Sequence, residues 1–174
     1  MRDILEISKY ILPSVVVFAT AYLLIKQFLK HEERKIKHQI LLKNQKQTTP
    51  IRLQACERLI IFLERIHPES LIIRENTSGL TNLQLQQKLI IAIRTEYEHN
   101  LTQQLYVSDE SWLQLKNAKD SMIRLINTEA SQVAPDDSSI VLCKAIIESH
   151  MQQQKPAIAT AISAIKKEIQ QIWN

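Results

Sequence analysis

The chain has 174 residues, a formal net charge of +4, 45% hydrophobic residues and a single glycine, Gly79. Nucleotide-binding loops and tight strand-to-helix catalytic turns need clustered glycines, because only glycine lets the backbone approach a ligand so closely. The sequence therefore excludes these kinds of site. Its many Leu, Ile, Gln, Lys and Glu residues indicate an all-α protein.

The excess positive charge is confined to the first quarter of the chain. Residues 1–47 carry nine Lys and Arg against four Asp and Glu, whereas residues 48–174 carry thirteen against fourteen. No basic stripe with interleaved aromatic residues is left to track phosphates, so no nucleic-acid partner is expected. Basic residues beside a membrane are instead attracted to anionic lipid headgroups.

The first predicted element is a transmembrane helix over residues 10–29. Its centre, Tyr10 to Ile25, contains no charged residue, and as a helix it would extend about 24 Å. If Lys9 and Lys26 reach outward to the interfaces, the helix can continue to Leu29 and cover a bilayer core of roughly 30 Å.

Two other interpretations of this segment stay open. Ala19-Thr20-Ala21 resembles a signal-peptidase site, although the apolar run continues past it to Ile25 and the region before it carries no net side-chain charge. A buried helix of a soluble protein is the second alternative. The lopsided distribution of flanking charge argues against it.

The Lys and Arg residues near the span predict its orientation in the membrane. Arg2 and Lys9 precede the span and seven Lys and Arg residues follow it. The positive-inside rule therefore puts the stub of residues 1–9 outside and the long C-terminal part in the cytoplasm. Residues 30–47 are interpreted as a basic juxtamembrane stalk helix. The residues expected to contact anionic lipid are Lys26, Lys30, Arg34, Lys35 and Lys37.

Residues 48–174 are expected to form a cytoplasmic bundle of about five helices. Thr49 and Pro50 predict a break before the first, a helix over 50–66 with two apolar rows, which is typical of a central helix packed on both sides. Residues 67–81 are expected to be the longest connection. The remaining helices are predicted to begin near Thr81, Ser108, Pro135 and Pro156.

Two of these helices carry regular apolar patterns. The helix after Thr81 has a stripe that steps by fours from Leu85 to Leu105. The last helix has an all-isoleucine seam, Ile158 to Ile172, with alternating spacings of four and three. This seam covers barely two heptads, so packing onto its own domain and self-association through the seam both stay open.

The sharpest chemical signal is a pair of Glu-x-x-His motifs, Glu64 to His67 and Glu96 to His99. Two such motifs with two further glutamates form the di-iron site of four-helix carboxylate proteins, so the alternative function is a membrane-tethered helical enzyme with a di-metal site. His67 precedes Pro68, however, which disfavours helical geometry there. No metal or other cofactor is therefore expected, and no catalytic residue is identified.

A polar cluster in the middle of the domain is the candidate partner-binding surface. On one continuous helix, several of its side chains would project to one side and offer a row of hydrogen-bonding groups. Such a row is also typical of an ordinary solvated helix face. The residues assigned to this surface are Glu96, His99, Asn100, Gln103, Gln104, Tyr106 and Trp112.

Three segments carry a resemblance to a known family: LQACERLIIFLERI (Leu53–Ile66), AIRTEYEHNLTQQLYVSDESWLQLKNAKD (Ala92–Asp120) and LIN (Leu125–Asn127). They resemble an uncharacterised bacterial membrane-protein family with a short N-terminal span, a basic stalk and a helical domain. The resemblance implies this architecture and no mechanism, because the family is a domain of unknown function. We therefore expect a membrane-anchored cytoplasmic binding or scaffold protein, an adaptor or an assembly subunit.

Overall fold

The computed structural model describes the backbone of residues 2–173, and their side chains except those of residues 2–16, 19, 38, 41, 42, 44, 172 and 173. This part of the chain contains six α-helices and one 3-10 helix, with one isolated β-bridge between Thr81 and Ser138. The elements in order are α1 (Arg2–Arg65), α2 (Pro68–Glu75), α3 (Asn82–His99), the 3-10 helix (Leu101–Leu105), α4 (Asp109–Ala130), α5 (Ser139–Met151) and α6 (Ala157–Trp173). The predicted all-α class is confirmed for these residues.

The chain divides into two compact units, Met1–Thr48 and Thr49–Asn174. In its described part the first unit consists of α1 alone, and its large apolar side chains between residues 17 and 40 are exposed. No helix within the described residues is both long enough and apolar enough to cross a membrane. The side chains of residues 10–16 and 19 lie outside the described residues, and the span over 10–29 stays a prediction.

The predicted helix break at Thr49 and Pro50 is wrong, because α1 continues through both residues to Arg65. A proline inside a helix removes one backbone hydrogen bond, but its fixed φ is compatible with helical backbone. Helical backbone after Pro50 is favourable, because helical periodicity places the apolar rows of this segment against the core.

The C-terminal part of α1 is central in the second unit, as its two apolar rows predict. The buried side chains of this part are Ala55, Cys56, Leu59, Phe62 and Leu63, and Ile66 directly after the helix is buried as well. All of them except Ala55 belong to one hydrophobic core to which each helix from α2 to α6 also contributes. Full burial of one such large side chain stabilises the fold by about 1.5–3 kcal/mol.

The predicted connection over 67–81 is only partly correct, because it contains the short helix α2. Pro68 occupies the first turn of α2, where its missing N–H is not needed, and Leu71 and Ile72 are buried. The apolar patch in this segment is therefore the inner face of a helix. The turn predicted at Gly79 is confirmed by its positive φ of 84°.

The buried residue Asn82 joins the start of α3 to the segment that leads into α5. Its Nδ2 donates to the carbonyl of Ala134 at 2.7 Å, and its Oδ1 accepts from the backbone N–H of Leu142 at 3.2 Å. Its own backbone N–H donates to the carbonyl of Asp137 at 2.9 Å. A buried amide with all these groups paired fixes two helix starts side by side.

The isoleucine seam of α6 faces the domain core. Ile158 and Ile165 are buried, Ile162 and Ile169 pack against the core, and the side chain of Ile172 lies outside the described residues. The helix α6 packs extensively against α4. Self-association through the seam stays a prediction, and it would require α6 to expose side chains that the core now covers.

Candidate partner-binding site

The polar row expected on one helix is interrupted, because α3 ends at His99. The backbone N–H of Asn100 donates to the carbonyl of Tyr97 at 3.0 Å, and its Nδ2 donates to the carbonyl of Glu96 at 2.8 Å. These bonds satisfy carbonyls that the next helical turn would otherwise use. The chain continues as the 3-10 helix Leu101–Leu105, so the residues of the row do not share one α-helical face.

The 3-10 helix presents its leucines to solvent instead of to the core. The apolar stripe predicted to reach Leu105 is wrong beyond Tyr97, since Leu105 is 76% exposed and Leu101 is exposed as well. Tyr106, directly after the 3-10 helix, is also exposed. We refer to Leu101, Leu105 and Tyr106 together as the 101–106 surface.

The remaining polar residues of the candidate surface have different surroundings. Glu96 accepts from Arg65 Nε at 2.7 Å, which ties α3 to α1. His99 and Gln104 are exposed, and Gln103 is half-buried. Glu96 thus serves the fold, whereas His99, Gln103 and Gln104 flank the 101–106 surface and are available as hydrogen-bonding groups.

Trp112 belongs to an aromatic group at the edge of the core. Its ring stacks on Tyr97 with the centroids 5.7 Å apart and an interplanar angle of 28°, and Tyr97 in turn meets Phe62 at 6.1 Å. Lys119 Nζ lies 4.4 Å from the centroid of the Tyr97 ring. The half-buried Trp112 therefore supports the fold beside the candidate surface.

A polar network around one buried carboxylate holds the 101–106 surface in place. Arg52 Nε donates to the carbonyl of Tyr106 at 3.2 Å, and Arg52 Nη2 donates to Glu168 Oε1 at 3.0 Å. Glu168 also accepts from the backbone N–H of Ser108 at 2.8 Å and from its hydroxyl at 2.9 Å. Three elements, α1, the start of α4 and α6, thus meet at one carboxylate that is 5% exposed.

Glu168 keeps its negative charge in this buried position. Burial alone raises the pKa of its carboxyl, but hydrogen bonds from Ser111, Ser108 and Arg52 outweigh that effect and hold the pKa below its ordinary value. A carboxylate that accepts several donors is stabilised in its charged form. The network is therefore charged at neutral pH and orders the segment just after Tyr106.

The two cysteines, Cys56 and Cys143, are free thiols that are buried in the fold. Burial raises the pKa of the Cys56 and Cys143 thiols, so both stay protonated and poorly nucleophilic.

Glu64 and His67, from the first Glu-x-x-His motif, line a cavity of about 230 Å³ together with His150. Within the described residues, no three His, Cys, Asp or Glu side chains form a group that could hold a metal ion.

The positive charges of the neighbouring groove are already paired. This open groove of about 400 Å³ is lined in part by Arg65, Arg74 and Lys88. Arg65 pairs with Glu96, Arg74 Nε donates to Glu75 at 2.9 Å, and Lys88 Nζ donates to the carbonyl of Glu75 at 3.2 Å. An anionic ligand would have to displace these contacts, so the groove does not favour one.

A family model described as a family of unknown function, DUF7935, matches residues 2–172. The chain belongs to this family. No curated protein and no solved structure matches the chain. The family match spans both units and confirms the uncharacterised family that the sequence resemblance implied, while the membrane span and the bacterial source stay predictions.

Within the described part of the first unit, the basic side chains that follow residue 25 of this DUF7935 protein are exposed. All five candidate lipid contacts, which are Lys26, Lys30, Arg34, Lys35 and Lys37, are exposed on α1. Lys35 Nζ also lies 3.2 Å from Glu32, an exposed ion pair within one turn. Such a pair is weak in water, so Lys35 remains able to bind a headgroup.

Sequence reasoning missed the Arg52–Glu168–Ser108 network. One signal was present, because Glu168 continues the row Ile158, Ala161, Ile165 with spacings of three and four. This row is the buried face of α6. A carboxylate on such a face needs buried donors, but the sequence gives no means to identify Arg52 and Ser108 as the donors.

Proposed function

We propose that this DUF7935 protein is a single-span membrane protein whose helical domain lies on the cytoplasmic side and binds a protein partner. In this role it would act as an adaptor or as an assembly subunit. The observation that carries the proposal is the run of exposed large apolar side chains between Val17 and Leu29 on a helix that is the only described element of its unit.

The membrane anchor is supported by the exposure of the large apolar side chains between residues 17 and 29. Phe18 is 73% exposed, and Leu24 and Phe28 are exposed to similar degrees. A contiguous apolar surface of this kind marks a membrane or protein contact. As part of α1, residues 10–29 would extend about 30 Å, which is the thickness of a bilayer core.

The orientation is supported by the exposed cations that follow the run. Lys26, Lys30 and Arg34 lie within about three turns of one another on α1, where anionic headgroups of the cytoplasmic leaflet would contribute about 1 kcal/mol each. Few cations precede the run. This asymmetry favours a domain on the cytoplasmic side.

The partner contact is proposed at the 101–106 surface. Leu105 and Tyr106 are large exposed side chains on a segment that two hydrogen bonds fix: Arg52 donates to the Tyr106 carbonyl, and the Ser108 N–H donates to Glu168. A pre-ordered segment loses little conformational entropy on binding. His99, Gln103 and Gln104 would supply the polar rim that surrounds the apolar centre of a typical interface.

Alkaline extraction of membranes tests the anchor. Phe18→Lys should move the protein from the membrane pellet towards the soluble fraction, because a lysine near the centre of a span costs about 2.5–3.5 kcal/mol. Ile73→Lys is the matched control, since Ile73 is 82% exposed but lies on α2. Equal partition of the two variants would contradict the proposed anchor.

Thiol labelling tests the orientation. In a variant without Cys56 and Cys143, a single cysteine at the exposed position 40 (Ile40→Cys) should react with an impermeant reagent only after the inner membrane is permeabilised. Labelling in cells with only the outer membrane opened would place the domain on the other side.

Site-specific photocrosslinking tests the partner surface. A photoreactive residue at position 105 should give a discrete protein adduct from intact cells, and Leu105→Glu should remove the same partner from detergent-solubilised pull-downs. Position 73 is again the control, because it is at least as exposed as Leu105. If both positions give the same adducts, the 101–106 surface has no special role.

A further inference from the structure

Two histidines from distant parts of the sequence meet at one corner of the second unit. The rings of His67 and His150 form an edge-to-face contact with their centroids 4.9 Å apart. His67 lies between α1 and α2, and His150 lies in the last turn of α5. The two positions are 83 residues apart in the sequence.

Both histidines line a small cavity where four helix ends come together. The cavity of about 230 Å³ is lined by Glu64, His67, His150, Pro156, Ile158, Ala159 and Ile162. Its floor is the apolar start of the α6 seam, where Ile158 is buried. The two imidazoles are therefore the polar groups that connect α5 with the corner between α1 and α2.

We propose that the His67–His150 contact is a proton-sensitive latch, which holds the end of α5 against the α1–α2 corner when neutral and releases it on acidification. The latch rests on the geometry of the corner and does not depend on the proposed membrane and partner functions. Its effect would be to uncover the floor of the cavity, including Ile158 and Ile162.

The charges around the pair determine how it responds to protons. Glu64 of α1 lines the cavity, and Glu69 of α2 acts on His150. Among the described lining residues, α6 contributes only uncharged side chains. Protonation of His150 would place a positive charge against the ring of His67, and Glu69 would offset part of that cost.

The direction of the pH effect follows from His150. Burial lowers the pKa of His150, the neighbouring His67 lowers it further, and Glu69 opposes both effects. A histidine whose pKa is lower in the folded chain stabilises the fold fully above its ordinary value of 6.5. That stability is lost as the pH falls below this value, because the unfolded chain takes up the proton more readily.

Hydrogen exchange of the full-length protein in detergent micelles tests the latch. Between about pH 7.5 and about pH 5.5, after correction for the intrinsic rate, protection in residues 147–151 and 157–162 should fall. Protection in the middle of α4 should change much less. A loss spread evenly over α3 and α4 would overturn the proposal.

Variants that keep a ring but cannot take up a proton locate the effect. His150→Phe and His67→Phe should each remove most of the acid-induced loss of protection, and His67→Phe serves as the test if His150→Phe does not fold. His99→Gln is the control, because His99 is exposed at the end of α3. The proposal is overturned if both phenylalanine variants keep the full loss, or if His99→Gln removes it.

Discussion

Residues 17–29 and residues 53–65 lie on the same helix, α1, and both are rich in large apolar side chains, but they differ in how far the rest of the chain covers them. Phe28 is 64% exposed, whereas Phe62 is 1% exposed. The second stretch is followed by helices α2 to α6, whose apolar faces cover it. In its described part, the first stretch belongs to a unit made of α1 alone. An apolar helix face thus indicates that the face will be buried against something. Whether the same chain buries it depends on the helices that follow.

The largest difference between the two stretches is expected when one phenylalanine in each is replaced by alanine. Phe62→Ala should lower the free energy of unfolding of the second unit by about 3–5 kcal/mol, because it leaves a cavity in the core. Phe28→Ala should leave that free energy unchanged. Denaturation of the full-length protein in micelles, followed by Trp112 fluorescence in a Trp173→Phe background, measures both. Similar losses in the two variants would mean that residues 17–29 are also packed by the domain.

A second contrast concerns carboxylates. Glu168→Ala should destabilise the second unit by about 1–3 kcal/mol, since Arg52 Nη2 and the Ser108 N–H and hydroxyl lose their shared acceptor. Glu33→Ala is the matched change on the exposed face of the first unit and should have no measurable effect. If Glu168→Ala costs no more than Glu33→Ala, the network does not order the segment after Tyr106.

The same carboxylate gives a pH test with a defined sign. Because the pKa of Glu168 is lower in the folded chain, its stabilisation is present above its ordinary value of 4.5 and is lost as the pH falls through the lower folded value. The stability difference between wild type and Glu168→Gln should therefore shrink in acid. If the stability difference between the two proteins stays constant as the pH falls well below 4.5, the charge of Glu168 is not what stabilises the network.

Local signals predicted most of the helices, and the errors have identifiable physical causes. Thr81 and Ser108 begin helices as expected, because each side chain accepts from a backbone N–H three residues later. Pro50 did not end α1, since apolar periodicity on its C-terminal side outweighs one lost hydrogen bond. Pro68 begins α2 because a proline in the first turn is compatible with a helix.

The candidate site was less predictable, because it depends on contacts between distant residues. A periodic stripe extrapolated through Asn100 placed Leu105 in the core, although the Asn100 side chain ends α3 at that point. The support from Arg52 and Glu168 joins residues 116 positions apart. No spacing rule within one helix reveals such a pair, and the same holds for His67 and His150.

A smaller effect is expected from the cap of α3. Thr81 Oγ1 accepts from the N–H of Gln84 at 3.3 Å, and the Gln84 side chain accepts from the N–H of Thr81 at 3.1 Å. Thr81→Ala should cost about 1 kcal/mol of unfolding free energy in the second unit. Thr95→Ala, an exposed position within the same helix, is the control and should lie near zero. Equal values would show that α3 does not depend on its capping box.

The smallest expected effect compares one ion pair from each unit. Arg65 and Glu96 join α1 to α3, whereas Glu32 and Lys35 lie one turn apart on α1. Double-mutant cycles with Arg65→Met and Glu96→Gln should give a coupling of about 0.5–1 kcal/mol to unfolding of the second unit, because the pair is partly exposed but fixes two helices. The Glu32–Lys35 cycle should give no coupling, since both residues lie in the first unit. A measurable coupling there would mean that the first unit contributes to the stability of the second, and the contrast between the two stretches of α1 would have to be abandoned.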